Sequence, residues 1–147
     1  MKHLFVRTER LQLHTQGDTD IVDITPRVAE VVDRAGLREG QVLLFVPGAT
    51  GALTTIEHEP GLLEDLPALF ERIAPRGAAY AHDQTWHDGN GHSHLRASLL
   101  GPSLVVPVAQ GQLQLGTWQQ IVFVDFDTRP RQRELVAQVM GDGDPGR

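Results

Sequence analysis

The stretch Gln41-Val42-Leu43-Leu44-Phe45-Val46-Pro47-Gly48-Ala49-Thr50-Gly51-Ala52-Leu53-Thr54-Thr55-Ile56-Glu57 decides the fold class. Gln41 to Pro47 is a continuous apolar run and reads as a central strand buried on both faces. Pro47 to Gly51 is a turn. Ala52 to Glu57 is rich in Leu, Thr and Ile and reads as a second strand, delivering Glu57, His58 and Glu59 to its end.

Upstream, residues 2–14 mix β-branched, aromatic and charged types, with partial alternation at Phe5, Val6, Leu11 and Leu13. They read as one or two strands, followed by the turn Gln16-Gly17-Asp18. Ile21, Ile24, Val28, Val31, Val32 and Ala35 recur at helical spacing. Thr25 as N-cap, Pro26 in the first turn and Gly36 as the stop bound a helix over about 26–35.

Downstream, Pro60 opens a second helix carrying Leu62, Leu63, Leu66, Leu69, Phe70 and Ile73, with Pro67 inside it as a kink or a lost hydrogen bond. Ala78 to Ala81 reads as a short strand. Ser93 is placed to cap a short helix with Leu95, Leu99 and Leu100, which Gly101-Pro102 stops. Ser103–Val108 and Gly111–Leu115 read as a hairpin around Gln110-Gly111. Gly116 to Asp127 is a strong strand, Arg129-Pro130-Arg131 a turn, and Leu135 to Met140 a last strand.

Strands come singly and in hairpins, without regular βαβ alternation. The expectation is therefore an α+β fold with mostly antiparallel sheets in a sandwich-like core, two main helices and one short helix. It forms one domain over 1–140, and 141–147 reads as a flexible C-terminal tail.

Composition narrows the function classes. The chain has 147 residues, no cysteine and a net charge of −6. Disulfides, thiolate ligands and cysteine nucleophiles are excluded, so any metal must use nitrogen and oxygen ligands. The charge argues against broad nucleic-acid binding. With no 18-residue apolar run and no signal-peptide pattern at Met1 to Arg7, the expectation is a cytoplasmic protein that does not enter a membrane.

The chemistry concentrates in Ala81 to Gly101. Four of the seven histidines lie between His82 and His94, among two aspartates, an asparagine and two glycines. Neutral imidazole is a common metal ligand, so His82, His92 and His94 form a candidate ligand set. Asp83 and Asp88 are candidates to orient imidazoles. The plain alternative is a polar surface loop with solvated turn aspartates. Glu57 is a candidate general base if burial raises its pKa, whereas Glu59 suits the N-terminus of the second helix. Thr117 and Gln119 put polar groups on the strand expected at 116–127, which invites a ligand or an interface. Arg129, Arg131 and Arg133 could bind phosphate or pair with acids.

Several segments together resemble the YjbQ family, whose members are known as secondary thiamine-phosphate synthases. The resemblance rests on Gly89-Asn90-Gly91-His92-Ser93-His94-Leu95 with Ala97 to Leu104, on Gly116-Thr117-Trp118-Gln119-Gln120-Ile121, on Arg129-Pro130-Arg131-Gln132-Arg133 and on Thr54-Thr55-Ile56-Glu57. It covers about Thr8 to Met140. It implies a compact α+β fold, a homotrimer with pockets where subunits meet, and polar site positions at Glu57, His82, Asp83, His94, Thr117 and Gln119. Many relatives carry a histidine where this chain has Pro47-Gly48-Ala49. The implied reaction joins a thiazole phosphate to an aminopyrimidine diphosphate and releases pyrophosphate.

The expected site therefore has Glu57 and Asp83 as catalytic residues, Thr117, Gln119 and Arg129 binding a small phosphorylated substrate, and a divalent metal, zinc or magnesium, on His82, His92 and His94. The alternatives are a metal-dependent hydrolase of a small phosphorylated or amide substrate, and a non-catalytic trimeric ligand-binding protein.

Overall fold

The computed structural model describes residues 3–146. Lys2 and Arg147, at the ends of the expected first strand and tail, lie outside the described residues. The elements run β1 His3–Thr15, β2 Asp20–Asp23, α1 Thr25–Ala35, β3 Leu37–Phe45, β4 Gly51–Ile56, α2 Pro60–Ile73, α3 Ala81–Trp86, α4 Gly91–Leu100, β5 Ser103–Ala109, β6 Gln112–Leu113, β7 Gln120–Asp125 and β8 Arg131–Gly143. The strands form a five-stranded sheet, β1-β8-β3-β5-β6, and a three-stranded sheet, β2-β7-β4. Every pairing is antiparallel, so the fold is α+β, as expected.

Side-chain alternation explains the layers. Leu11, Leu13, Leu135, Ala137, Val139, Val42 and Leu44 point from the larger sheet into one core. Ile121, Phe123 and Leu53 of the smaller sheet meet them there, with Val28, Val31 and Val32 of α1. The other face of the smaller sheet, Ala52, Val122, Val124 and Phe126, packs on Phe70 of α2 and Ala97 of α4. β7 is thus covered on both faces, which is why Ile121 to Val124 is uninterrupted apolar sequence.

That corrects one expectation. The strand buried on both faces is β7, not β3. In β3, Val42 and Leu44 are fully buried, but Leu43 is only partly buried and Phe45 is 40% exposed. The outer face of the larger sheet carries Val6, Met140, Pro107, Leu43, Val105, Val136 and Phe45 in adjoining register rows, with nothing over them in one chain.

Local chemistry bears out several boundaries. Gly36 ends α1 at φ 68°, in the left-handed region. Gln110 and Gly111 both take positive φ in the β5–β6 turn. Glu59 caps α2 by accepting from the Gly61 and Leu62 N–H groups. α2 runs through Pro67 from Pro60 to Ile73.

Others are revised. Thr25 lies inside α1, and its Oγ1 accepts from the Ile121 N–H instead of capping. A third helix, α3, replaces the strand and loop expected around 78–90, so there are four helices among the described residues. α4 starts at Gly91 after Asn90, leaving Ser93 inside it rather than at its cap. Residues 116–119 are an exposed turn before β7, because no neighbouring strand pairs with them. β8 extends to Gly143, where Leu37 pairs with it, so three residues of the expected tail are strand.

Candidate functional site

α3 and α4 meet at their starts. Tyr80 and Gly91 pack so closely that a Cβ on Gly91 would lie 2.7 Å from the Tyr80 Cβ, so only glycine fits there. His87 ends α3 at φ 57°, and its N–H bonds back to the Asp83 carbonyl. This reversal folds residue 88 back over the helix. The Asp83 Oδ1 then accepts from the Gly91 N–H at 3.0 Å, standing in for the side-chain cap that Asn90 does not supply.

The result is a compact group. Ligand-capable atoms of His82, Asp83 and Asp88 all lie within 4.8 Å of one another. The His82 Nδ1 stands 3.8 Å from an oxygen of each carboxylate. That is too long for a hydrogen bond. It is close to the ~3.4 Å edge of a tetrahedron with bonds of about 2.1 Å. The ring of His94, on α4, is 4.2 Å from that of His82, centroid to centroid. Burial and then the neighbouring His82 push the His94 pKa below its ordinary value, so its imidazole is neutral at pH 7.

Buried polar side-chain atoms without a hydrogen-bond partner are uncommon in folded proteins. Among the described residues they are the His82 Nδ1, Asn90 Oδ1, His92 Nδ1 and Ser93 Oγ. All four fall in this one segment. A cation on the His82 Nδ1 and the two carboxylates would satisfy the first of them, and one imidazole with two carboxylates suits a divalent ion that takes oxygen ligands.

The expected set divides. His82, Asp83 and His94 are brought together. Asp88, a turn aspartate in the plain alternative, joins them. His92 does not: it is 2% exposed, and its ring sits 6.5 Å from that of Tyr80. Burial, then Arg96 and Arg76, lower its pKa.

Glu57, Thr117 and Gln119 gather elsewhere. Gln119 Nε2 donates to Thr55 Oγ1 at 2.9 Å, and its Oε1 accepts from the Gly116 N–H, holding the exposed 116–119 turn. Glu57 is exposed just beyond Ile56, the residue opposite Gln120. His94 shares a cleft with Gly48 and Gly51, at the other end of β4. Residues 51 to 57 span about 20 Å at ~3.3 Å per residue. Within one chain, then, Glu57 and the 116–119 turn do not reach the histidine group. Arg129 is exposed and makes no ion pair among the described residues.

Two buried arginines complete the surroundings. Arg96 of α4 donates to the Ala74 carbonyl, Thr19 Oγ1 and Glu71, tying α2 and the β1–β2 loop to α4. Nothing at the sequence level singles it out beyond its place four residues after His92. Arg133 forms a two-point ion pair with Asp125 at 2.8 and 2.9 Å. Thr15 Oγ1 and the Asp127 N–H also donate to Asp125. Thr50 Oγ1 and Arg131 bind Asp127. These hydrogen bonds outweigh burial and hold both carboxyl pKa values below the ordinary range. Arg131 and Arg133 do pair with acids, but with buried ones.

Comparison with known proteins agrees with this architecture. The profile of the family described as UPF0047 protein YjbQ-like matches residues 9–142. A UPF0047 protein of Archaeoglobus fulgidus is 44% identical over 130 residues, covering 88% of this chain and 98% of that protein. One from Methanothermobacter thermautotrophicus is 40% identical over 136 residues, covering 92% and 93%. The crystal structure of a YbjQ-like protein of unknown function from Sulfolobus solfataricus superposes with a TM-score of 0.90 at 33% identity, covering 95% of this chain and 99% of that one. A conserved protein of the same family from Clostridium acetobutylicum gives 0.82 at 33% identity, covering 89% and 98%. With its fold and nearly its whole length shared with these proteins, the chain belongs to the YjbQ-like UPF0047 family.

Proposed function

We propose that the chain is a thiamine-phosphate synthase-like transferase, joining a thiazole phosphate to an aminopyrimidine diphosphate with release of pyrophosphate. The observation that carries this reading is the His82–Asp83–Asp88 group, with its unpartnered His82 Nδ1 and with His94 beside it. These three residues would hold a divalent ion, and a bound ion would supply charge neutralisation for the departing pyrophosphate. Two carboxylates suit magnesium better than three imidazoles would. His94 stays unprotonated next to the reacting groups, and the exposed Arg129 offers a guanidinium to a phosphate.

Glu57, Thr117 and Gln119 enter this reading through a neighbouring subunit of a homotrimer. The bare apolar face of the larger sheet supports association. Purified protein should form thiamine phosphate from the two precursors above a no-enzyme control. Asp88→Asn and His94→Ala should each lower that rate by about 100-fold or more, and light scattering should give three chains per particle. Absence of product, or both variants turning over at the wild-type rate, overturns the transferase.

A second reading, a metal-dependent hydrolase, is favoured by one observation. The ring beside His82 is a neutral imidazole able to take a proton from water, while Glu57 is remote in the same chain. Release of phosphate from simple phosphoesters on metal addition, without thiamine phosphate formation, would select it.

A further inference from the structure

A guanidinium carries five N–H donors. In Arg133 three of them are engaged: Nε on Asp125 Oδ2, and Nη2 on Asp125 Oδ1 and Thr50 Oγ1. The two on Nη1 have no protein partner among the described residues and are open to solvent, while the side chain as a whole is only 7% exposed. The network needs no further charge, since Asp125 and Asp127 face Arg133 and Arg131. The Nη1 donors are therefore spare.

What lies over them is Gly48. This residue is exposed, and a Cβ built on it would stand 3.4 Å from Arg133 Nη1, with only Val46 Cγ2 otherwise nearby at 3.9 Å. Gly48 also lines a cleft of about 190 Å³ between the 47–51 turn and α4, together with Ala49, Ala97, Ser98 and, on the opposite wall, His94. This open cleft has room for a phosphate or a short carboxylate chain. The Ala49 N–H, on the same turn, has no hydrogen-bond partner among the described residues.

Arg133 does not itself line the cleft; its Nη1 lies against Gly48 at the cleft's edge. We propose that this edge is an oxyanion-binding position. The Arg133 Nη1, left uncovered by Gly48, donates to a carboxylate or phosphate oxygen of a small ligand whose other end lies against His94. The inference rests on the transferase reading only for what that other end meets. The binding position itself is a property of the turn, the buried arginine and the cleft. Gly48 is then a selectivity residue, because any larger side chain would fill the approach to the arginine.

The test uses metal-free full-length protein with inorganic phosphate, and separately acetate, as probes. Binding is read from the Arg133 Nε–H and Ala49 amide signals by ¹⁵N–¹H NMR. At least one probe should shift both signals saturably, and the tighter one names the chemistry. Removing Arg133 would unfold the network, so the informative variant is Gly48→Leu. It should weaken binding by about tenfold or more, as expected for loss of a charge-assisted hydrogen bond. Gly48→Leu should leave the thermal midpoint near that of the wild type, because it adds bulk only at an exposed turn. Asp88→Asn should bind the probe as the wild type does. The proposal is overturned if neither probe gives a saturable shift, if Gly48→Leu binds equally well, if only Arg129 and Arg131 respond, or if Asp88→Asn abolishes binding. None of these outcomes depends on whether the protein makes thiamine phosphate.

Discussion

Replacing Asp125 by alanine probes the end of the inter-sheet core. Asp125 is 0% exposed on β7, and its two oxygens accept from Arg133 Nε and Nη2, Thr15 Oγ1 and the Asp127 N–H. The change leaves the buried Arg133 charge with only Asp127, 3.8 Å away, in place of its hydrogen-bonded partner, and strips an acceptor from two other buried donors. Breaking a buried pair in this way costs about 3–5 kcal/mol. At roughly 3 °C per kcal/mol for a domain of this size, the thermal midpoint should fall by about 10–15 °C. The control is Glu134→Ala, which removes the Arg10–Glu134 pair, whose side chains are 59% and 41% exposed. An exposed pair contributes about 0–1 kcal/mol. The double variant Asp125→Leu with Arg133→Met should recover much of the loss, because an apolar pair removes the stranded charge. Thermal unfolding by circular dichroism, with urea titrations to obtain free energies, checks all three. If Asp125→Ala is no worse than Glu134→Ala, the buried network is not a stabilising element and the reasoning fails.

Two other outcomes follow from single residues. His92 is held below its ordinary pKa of 6.5 by burial, then by Arg96 and Arg76, so the unfolded chain binds a proton at a higher pH than the folded one. The stability from a neutral His92 is complete above about pH 6.5 and is lost as pH falls toward the folded pKa. His94 acts with the same sign, so His92→Leu should flatten part of the decline in thermal midpoint between about pH 7 and 5. An unchanged slope would refute this role. Gly36→Ala should destabilise by about 2 kcal/mol or more, from left-handed strain and a Cβ 2.1 Å from the Asp144 carbonyl oxygen. Gly77→Ala, with nothing within 4 Å, should be neutral or slightly stabilising; equal effects at the two glycines would count against the argument.

The strands, α1, α2 and the β5–β6 hairpin were legible because each leaves a periodic trace: alternation, a 3.6-residue stripe, or a turn residue at positive φ. β2 was not, being four residues long without a buried side chain. Nor was α3, whose six residues bury nothing and so impose no apolar spacing. The ligand group was half legible. His82 and His94 stand out by residue type, and Asp83 and Asp88 as candidates to orient imidazoles, but not as ligands beside His82, since sequence neighbours on an extended chain point apart. Only the short helix and the reversal at His87 make them converge. The Asp125–Arg133 pair joins residues on different sheets, and no local pattern predicts such a contact. The doubly covered strand was assigned to β3 because an apolar run shows that a strand is buried without showing what covers each face.

Asp83 has a double attachment whose consequence is thermodynamic. The same Oδ1 that accepts from the Gly91 N–H faces the His82 Nδ1. A carboxylate fixed by a helix terminus has already lost its rotamer freedom before any ion arrives, so ordering it is charged to folding and not to binding. Helix α4 and the ligand group are then linked in both directions. If the group takes a cation as proposed, whatever holds the first turn of α4 in place would sharpen that affinity, and whatever engages Asp83 from the other side would steady the helix that carries His94 to the cleft.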